Sequence, residues 1–118
     1  MAQILVAEDE DVTRDLVRRA LETDGHGVSV AADGLEALEL ASERAFDLVV
    51  TDVEMPNMDG VTLAETLIER DPRQRIILMS AIADELSRAR AMVRGNVRIL
   101  SKPVTLEMIR GEVTELLG

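Results

Sequence analysis

The stretch that decides the fold is FDLVVTDVEMPNMDG, residues 46–60. Strand-forming residues fill 47–51 and lead directly into Asp52, after which Pro56 and the pair Asp59-Gly60 mark a turn. The run is continuously apolar at its centre, which is typical of a strand buried on both faces of a sheet. The chain therefore places a carboxylate at the end of a buried strand. An aspartate can end a strand simply to reach water, so its role depends on what else lies at that edge.

Two hydrophobic periods alternate along the rest of the chain. Further apolar runs of strand length are ILVA (4–7), VSVAA (28–32), RIILMS (75–80) and VRIL (97–100), giving five predicted strands. The segments between them have apolar residues at helical spacing and are bounded by Gly, Asp and Pro. Strict alternation of strands and helices predicts an α/β fold, doubly wound, with a five-stranded parallel sheet between helices on both faces. The residues GVSVAA (27–32) fit an edge strand.

The first predicted helix follows the first strand almost immediately. We expect Asp11 to cap this helix rather than to bind metal. The apolar stripe that we expect to face the core comprises Val12, Leu16, Val17, Ala20 and Leu21.

Length, charge and composition exclude several classes of protein. A chain of 118 residues fits one domain with one core. No apolar run approaches the roughly 20 residues of a membrane span, and we expect a cytoplasmic protein without a membrane partner. The absence of Cys excludes thiolate metal sites and thiol catalysis. A net charge of −10 and a single aromatic residue, Phe46, argue against nucleic-acid binding.

Polar side chains follow four of the five predicted strands. In parallel α/β folds the carboxyl ends of the strands meet at one edge, and ligands bind there where the strand order reverses. Hard oxygen ligands suit Mg²⁺, an ammonium can neutralise a phosphoryl oxygen, and a carboxylate can attack phosphorus. The sequence therefore predicts a site for a phosphoryl group and Mg²⁺, with Asp52 as the nucleophile. The converging residues are Glu8 and Asp9, Asp52 and Glu54, Ser80, and Lys102.

Four motifs, in order, resemble the receiver domain of bacterial response regulators. They are the acidic pair in VAEDE, the block VVTDVEMPNMDG, the hydroxyl in LMSA and the triplet SKP, and the resemblance extends from Gln3 to about Leu117. It implies a flavodoxin-like (βα)5 fold with strand order 2-1-3-4-5, an order that is taken from the family rather than from this sequence.

The resemblance also implies a Mg²⁺ site next to the phosphoacceptor. By position, Asp9 and Asp52 would be direct metal ligands and the backbone carbonyl of Glu54 a further one. Glu8 would be a nearby acid that acts largely through water.

Three further roles come from the same resemblance. Asp52 would be phosphorylated by a phosphohistidine on a sensor histidine kinase or a phosphotransfer protein. Ser80 would donate a hydrogen bond to the phosphoryl group, and Lys102 would pair with it. A cis Lys102–Pro103 peptide bond would direct the lysine into the site.

The region around the fourth helix is the expected output surface. Many receivers carry Tyr or Phe where this chain has Ile99, and Thr is frequent where it has Ser80, so an aromatic swing is not available as the switch. Residues 84–99 carry a net charge of +2, which leaves −12 on the rest of the chain. These arginines fit either an ordinary solvated helix face or a surface that meets an acidic protein target or a second copy of the chain after phosphorylation. They are Arg88, Arg90, Arg94 and Arg98.

The favoured interpretation is a single receiver domain over residues 1–118, without an output domain and without enzymatic turnover. It would act as a stand-alone response regulator that signals through protein contacts, as a monomer or a phosphorylation-dependent dimer. Three alternatives stay open: a receiver fragment of a hybrid kinase or larger regulator, a Mg²⁺-dependent aspartyl-phosphate phosphatase, and a module that is never phosphorylated. The phosphatase is disfavoured because such enzymes normally place the nucleophile after the first strand and carry a cap.

Overall fold

The computed structural model describes residues 1–90 and 95–118, and for residues 83–86 it describes the backbone alone. Within these residues strands and helices alternate, as the hydrophobic periodicity predicts. The strands are β1 (Gln3–Ala7), β2 (Gly27–Ala31), β3 (Leu48–Asp52), β4 (Arg75–Ser80) and β5 (Val97–Ser101). The helices are α1 (Asp11–Thr23), α2 (Gly34–Glu43), α3 (Gly60–Arg70), α4 (Ala83–Arg90) and α5 (Leu106–Leu117).

The five strands form one parallel sheet in the order β2-β1-β3-β4-β5, which confirms the predicted fold class and strand order. β2 lies at an edge, as expected. The chain leaves β1 toward β2 on one side and later enters β3 on the other side of β1, so the strand order reverses between β1 and β3. This reversal point is where ligands bind in sheets of this kind.

Apolar side chains from both faces of the sheet form two core layers. Neighbouring residues of β3 point to opposite faces, so Val49 packs in one layer with Leu5, and Val50 packs in the other with Ile77. Helices α2 and α3, with Ala89 of α4, cover the first layer, and α1 and α5 cover the second. All five residues of β3 are buried, as its continuous apolar run predicts.

The buried face of α1 is narrower than predicted, and the helix begins one residue earlier than a cap at Asp11 implies. Val17 and Leu21 are buried, but Val12 and Leu16 are 68% and 46% exposed. At about 100° per residue, Val12 lies roughly 140° around the helix axis from Val17, so both cannot face the sheet. Asp11 does not cap the helix. The helix begins at Asp11 itself, and its carboxylate accepts a hydrogen bond from Arg14 at 2.5 Å, one turn later.

None of the helices in the described part of the chain combines the length and the apolar composition that crossing a membrane requires.

Candidate functional site

Three carboxylates meet at the carboxyl ends of β1 and β3. Oxygen atoms of Glu8, Asp9 and Asp52 lie within 4.8 Å of one another. Glu8 and Asp52 are buried and Asp9 is exposed, so the cluster opens to solvent on one side. The three acids and Lys102 line a cavity of about 390 Å³. Adjacent parallel strands therefore bring together the acids that the sequence predicts at this edge.

Asp52 lies at the centre of this arrangement. Its side chain is almost fully buried, and Oδ1 lies 2.8 Å from Lys102 Nζ and has no other polar partner among the described residues. Burial raises the pKa of the Asp52 carboxyl, and the hydrogen bond and charge of Lys102 offset only part of this rise. Burial alone would lower the pKa of Lys102, but its contact with Asp52 leaves that pKa above its usual value. The lysine is therefore a fixed positive charge facing the candidate nucleophile.

Glu8 is the most strongly perturbed acid of the cluster. Burial raises its pKa to about 7, against a hydrogen bond from the backbone N–H of Glu10 that lowers it. The charge of Asp52 adds to the rise. One member of the cluster thus exchanges its proton near neutral pH.

We expect the metal-free protein to gain stability as the pH falls from 8 toward 5. The pKa of Glu8 is about 7 in the fold against 4.5 for the unperturbed group, so folding takes up a proton between these values. The cost of the buried charge is complete above pH 7 and disappears as the pH falls toward 4.5. At about 1.4 kcal/mol per pH unit the effect is on the order of 3 kcal/mol. Urea unfolding in EDTA at several pH values measures it.

The matched variants for this pH experiment are Glu8→Gln and Glu10→Gln. Glu8→Gln should lose most of the pH dependence between 5 and 8, whereas the exposed neighbour Glu10→Gln should keep it. An unchanged slope in Glu8→Gln would assign the effect to the general negative charge of the chain.

Ser80 ends β4 and is fully buried. Its hydroxyl donates a 2.5 Å hydrogen bond to Oε2 of Glu54, which follows β3. Sequence reasoning assigned Glu54 only a backbone role and missed this side-chain contact. The signal for it was the predicted adjacency of the third and fourth strands, because residues just beyond the ends of paired strands can meet.

Lys102 follows β5, and its backbone is hydrogen-bonded to the end of β4. Its backbone N–H donates to the carbonyl of Ser80 at 2.9 Å, and the Lys102–Pro103 peptide bond is cis. Lys102 therefore links two strands: its backbone N–H bonds to the end of β4, and its ammonium contacts Asp52 at the end of β3.

The loop between β3 and α3 is fastened to the start of α2. Asn57, at a φ of +68°, donates from its side-chain amide to Asp33 at 2.7 Å. The other oxygen of Asp33 caps α2 through the N–H of Glu36. A Cβ on Gly34 would lie 2.1 Å from the carbonyl oxygen of Met58, so only glycine fits there. The sequence did not predict this contact between the loop and the start of α2.

The four arginines of the predicted output surface differ in their surroundings. Arg98 pairs with Glu112 and Glu115 of α5, both at 3.0 Å, so its charge is held within the fold. Arg88 lies 3.7 Å from Asp59.

The other members of that set differ in position. Arg90 is exposed at the end of α4, and Arg94 lies outside the described residues. Ile99 is half-buried and packs against the core layer covered by α2 and α3.

One protein-family model matches nearly the whole chain. A profile of the response regulator receiver domain matches residues 4–114. The sensor protein EvgS of Escherichia coli (strain K12) is 36% identical over 113 residues, which cover 96% of this chain and 9% of EvgS. The response regulator receiver protein CpdR of Brucella abortus is 33% identical over 117 residues, covering 99% of this chain and 98% of CpdR. The chain thus spans about a tenth of EvgS and nearly all of CpdR.

Solved structures agree with the profile. The response regulator protein TrrA from Thermotoga maritima, in complex with Mg²⁺ and BeF, superposes with a TM-score of 0.87 at 28% identity. The match covers 99% of this chain and all of TrrA.

Proposed function

Because this chain belongs to the response regulator receiver family, we propose that it is a phosphorylation-activated switch whose phosphoacceptor is Asp52. The observation that carries the proposal is the buried Asp52 carboxylate beside Lys102, at the point where the strand order reverses. A passive module has no need for a desolvated carboxylate paired with an ammonium. The phosphatase alternative is not supported, since the family match covers nearly the whole chain.

The transfer itself is a displacement at phosphorus. A carboxylate oxygen of Asp52 forms the new P–O bond while the P–N bond of a phosphohistidine breaks, and the imidazole leaves with the bonding electrons. Burial makes this oxygen poorly solvated and therefore a better nucleophile. Lys102 is in position to pair with the developing charge on the phosphoryl oxygens.

The acidic cluster supports a Mg²⁺ site. Three hard-oxygen ligands within 4.8 Å, one of them exposed, are the donor set that Mg²⁺ prefers. Asp9 and Asp52 would bind the ion directly with the carbonyl of Glu54, and Glu8 would act through water. Bound Mg²⁺ would neutralise charge on the transferring group. The Mg²⁺ and BeF bound to TrrA are consistent with such a site in this family.

The donor would be a sensor histidine kinase or a histidine phosphotransfer protein. CpdR is a receiver over nearly its whole length, whereas EvgS is a sensor that contains the matching region as a small part. The same switch chemistry serves in either setting, as a stand-alone domain 1–118 or as one part of a larger protein. In the stand-alone setting the output is a protein contact, made by a monomer or by a dimer that forms on phosphorylation.

A single experiment separates a switch from an enzyme. With Mg²⁺ and a phosphohistidine protein, the chain should take up one phosphoryl group per molecule, and it should not turn over p-nitrophenyl phosphate. The first is read by intact-mass spectrometry and the second by release of nitrophenol. Sustained release by the wild type that is lost in Asp52→Asn would favour the phosphatase instead.

We propose the α4 side of the molecule as the output surface, with Arg90 as its exposed charge. Arg90→Glu should weaken capture of the phosphorylated protein's acidic partner, or its self-association, by about tenfold and leave labelling of Asp52 unchanged. Arg73→Glu, an exposed arginine in the turn before β4, is the matched control. Analytical ultracentrifugation of the phosphorylated protein measures self-association, and equal behaviour of the two variants would make Arg90 an ordinary solvated residue.

A further inference from the structure

We propose that Glu54 is a positioning residue which holds the Ser80 hydroxyl away from the phosphoryl group. Phosphorylation would then have to break the Ser80–Glu54 hydrogen bond before Ser80 can donate to a phosphoryl oxygen. The inference rests on the proposed function, because it assigns Ser80 to the phosphoryl group. It goes beyond it by giving the Glu54 side chain a role separate from that of its backbone carbonyl.

The hydrogen bonds of Ser80 carry this proposal. A serine hydroxyl has one proton to donate, and in Ser80 that proton is directed to Oε2 of Glu54 at 2.5 Å. The only other acceptor near the hydroxyl in the described structure, the carbonyl of Ile82, is 3.5 Å away. The N–H of Ile82 donates to the same serine oxygen at 3.1 Å and fixes it from the other side. The Ser80 hydroxyl that would donate to a phosphoryl group therefore already donates to Glu54.

The Ser80–Glu54 hydrogen bond is also stronger than a serine hydrogen bond to a neutral acceptor. Ser80 is fully buried, and its acceptor is a carboxylate on a half-buried side chain. A hydrogen bond to an ionised group is about twice as strong as one between neutral groups, and burial strengthens it further. A phosphoryl group on Asp52 must therefore compete with Glu54 for one proton.

Glu54 opposes a phosphoryl group in a second way, through its negative charge. The charge of Glu54 already acts on Asp52, because it contributes to the raised pKa of that carboxyl. Charge repulsion would act whether or not Ser80 carries a hydroxyl, whereas competition for the proton requires Ser80. This difference separates the two effects.

The test uses beryllofluoride with saturating Mg²⁺ as the analogue of the aspartyl phosphate, with affinity measured by isothermal titration calorimetry. Glu54→Gln removes the charge and keeps an acceptor oxygen for Ser80, and Glu54→Ala removes both. Glu54→Asp keeps the charge but withdraws it from Ser80 by one carbon–carbon bond. Each variant is made with Ser80 and again with Ser80→Ala.

We expect Glu54→Ala to bind beryllofluoride about fivefold to tenfold more tightly than Glu54→Gln when Ser80 is present, the value of one hydrogen bond. Glu54→Asp should bind more tightly than wild type although its charge is unchanged. In the Ser80→Ala background all of these differences should shrink to less than about twofold. Glu39→Ala, an exposed acid on α2, should bind as wild type does.

The outcomes distinguish this inference from the function on which it rests. Equal ratios in the two backgrounds would show that Glu54 acts independently of the Ser80 hydroxyl, and would overturn the inference while leaving the switch intact. If wild type bound no beryllofluoride with Mg²⁺ and phosphodonors left it unlabelled, the proposed function would fail and the inference with it. Glu54→Asp retains a carboxylate of similar shape, so it serves where Glu54→Ala does not fold.

Discussion

Asp52→Asn should abolish labelling by a small phosphodonor with Mg²⁺, reducing it by at least about a thousandfold. The amide is nearly isosteric with the carboxylate but is not a nucleophile, so the site keeps its shape and loses the attacking oxygen. Asp52 is the acid in contact with Lys102, at 2.8 Å, which makes it the carboxylate best placed to hold a transferred group. Intact-mass spectrometry after timed exposure to the donor measures the loss.

The matched control is Asp11→Asn, the same change at a side chain 88% exposed near the start of α1. It should be labelled at the wild-type rate. Peptide mapping of the labelled wild type should place the phosphoryl group within residues 46–60. Full labelling of Asp52→Asn, or a label in another peptide, would reject Asp52 as the phosphoacceptor.

The second large effect is the response of the fold to Mg²⁺. In EDTA the three carboxylates repel one another, and Asp9→Asn should remove part of this repulsion with little change of shape. The interaction is about 3 kcal/mol at 4.8 Å and an effective dielectric of 20. Since Asp9 is exposed, solvent screening reduces the gain to about 1 kcal/mol. We therefore expect Asp9→Asn to melt roughly 4 °C above wild type in EDTA.

Mg²⁺ should reverse this order. An ion that binds only the assembled cluster stabilises the fold by about 2.7 kcal/mol at one hundred times Kd, which raises the melting temperature of wild type by roughly 10 °C. Asp9→Asn, lacking one direct ligand, should rise far less. Asp52→Asn should also melt above wild type in EDTA, but by less than Asp9→Asn, because Lys102 loses its partner there.

Circular dichroism melts of the three proteins with EDTA and with Mg²⁺ decide the matter. If both amide variants melt below wild type without metal, the carboxylates serve the fold as hydrogen-bond acceptors. The charge cluster would then not be a metal site.

Sequence alone predicted what backbone periodicity controls. The continuously apolar β3 could only be a buried strand, and parallel strands necessarily deliver their terminal residues to one edge. Glu8, Asp9, Asp52, Ser80 and Lys102 could therefore be grouped before their distances were known. The strand order itself was supplied by the family resemblance.

Side-chain contacts between loops were not predictable in the same way. The Ser80–Glu54 hydrogen bond depends on how far the chain continues beyond β3 before it turns, which no residue pattern specifies. The exposure of Val12 and Leu16 has a similar origin, because an apolar spacing shows which residues share a face but not how wide the buried face is.

The contact between α2 and the loop that follows Asp52 has a consequence for building hybrid receivers. Asp33 and Gly34 fit Asn57 and Met58 so closely that the two segments form one exchangeable unit, although 22 or more residues separate them in the chain. A loop transplanted from another receiver would meet the wrong partner unless the start of α2 were transplanted with it. Cassette boundaries for such hybrids belong before residue 33 and after residue 60, and never between them.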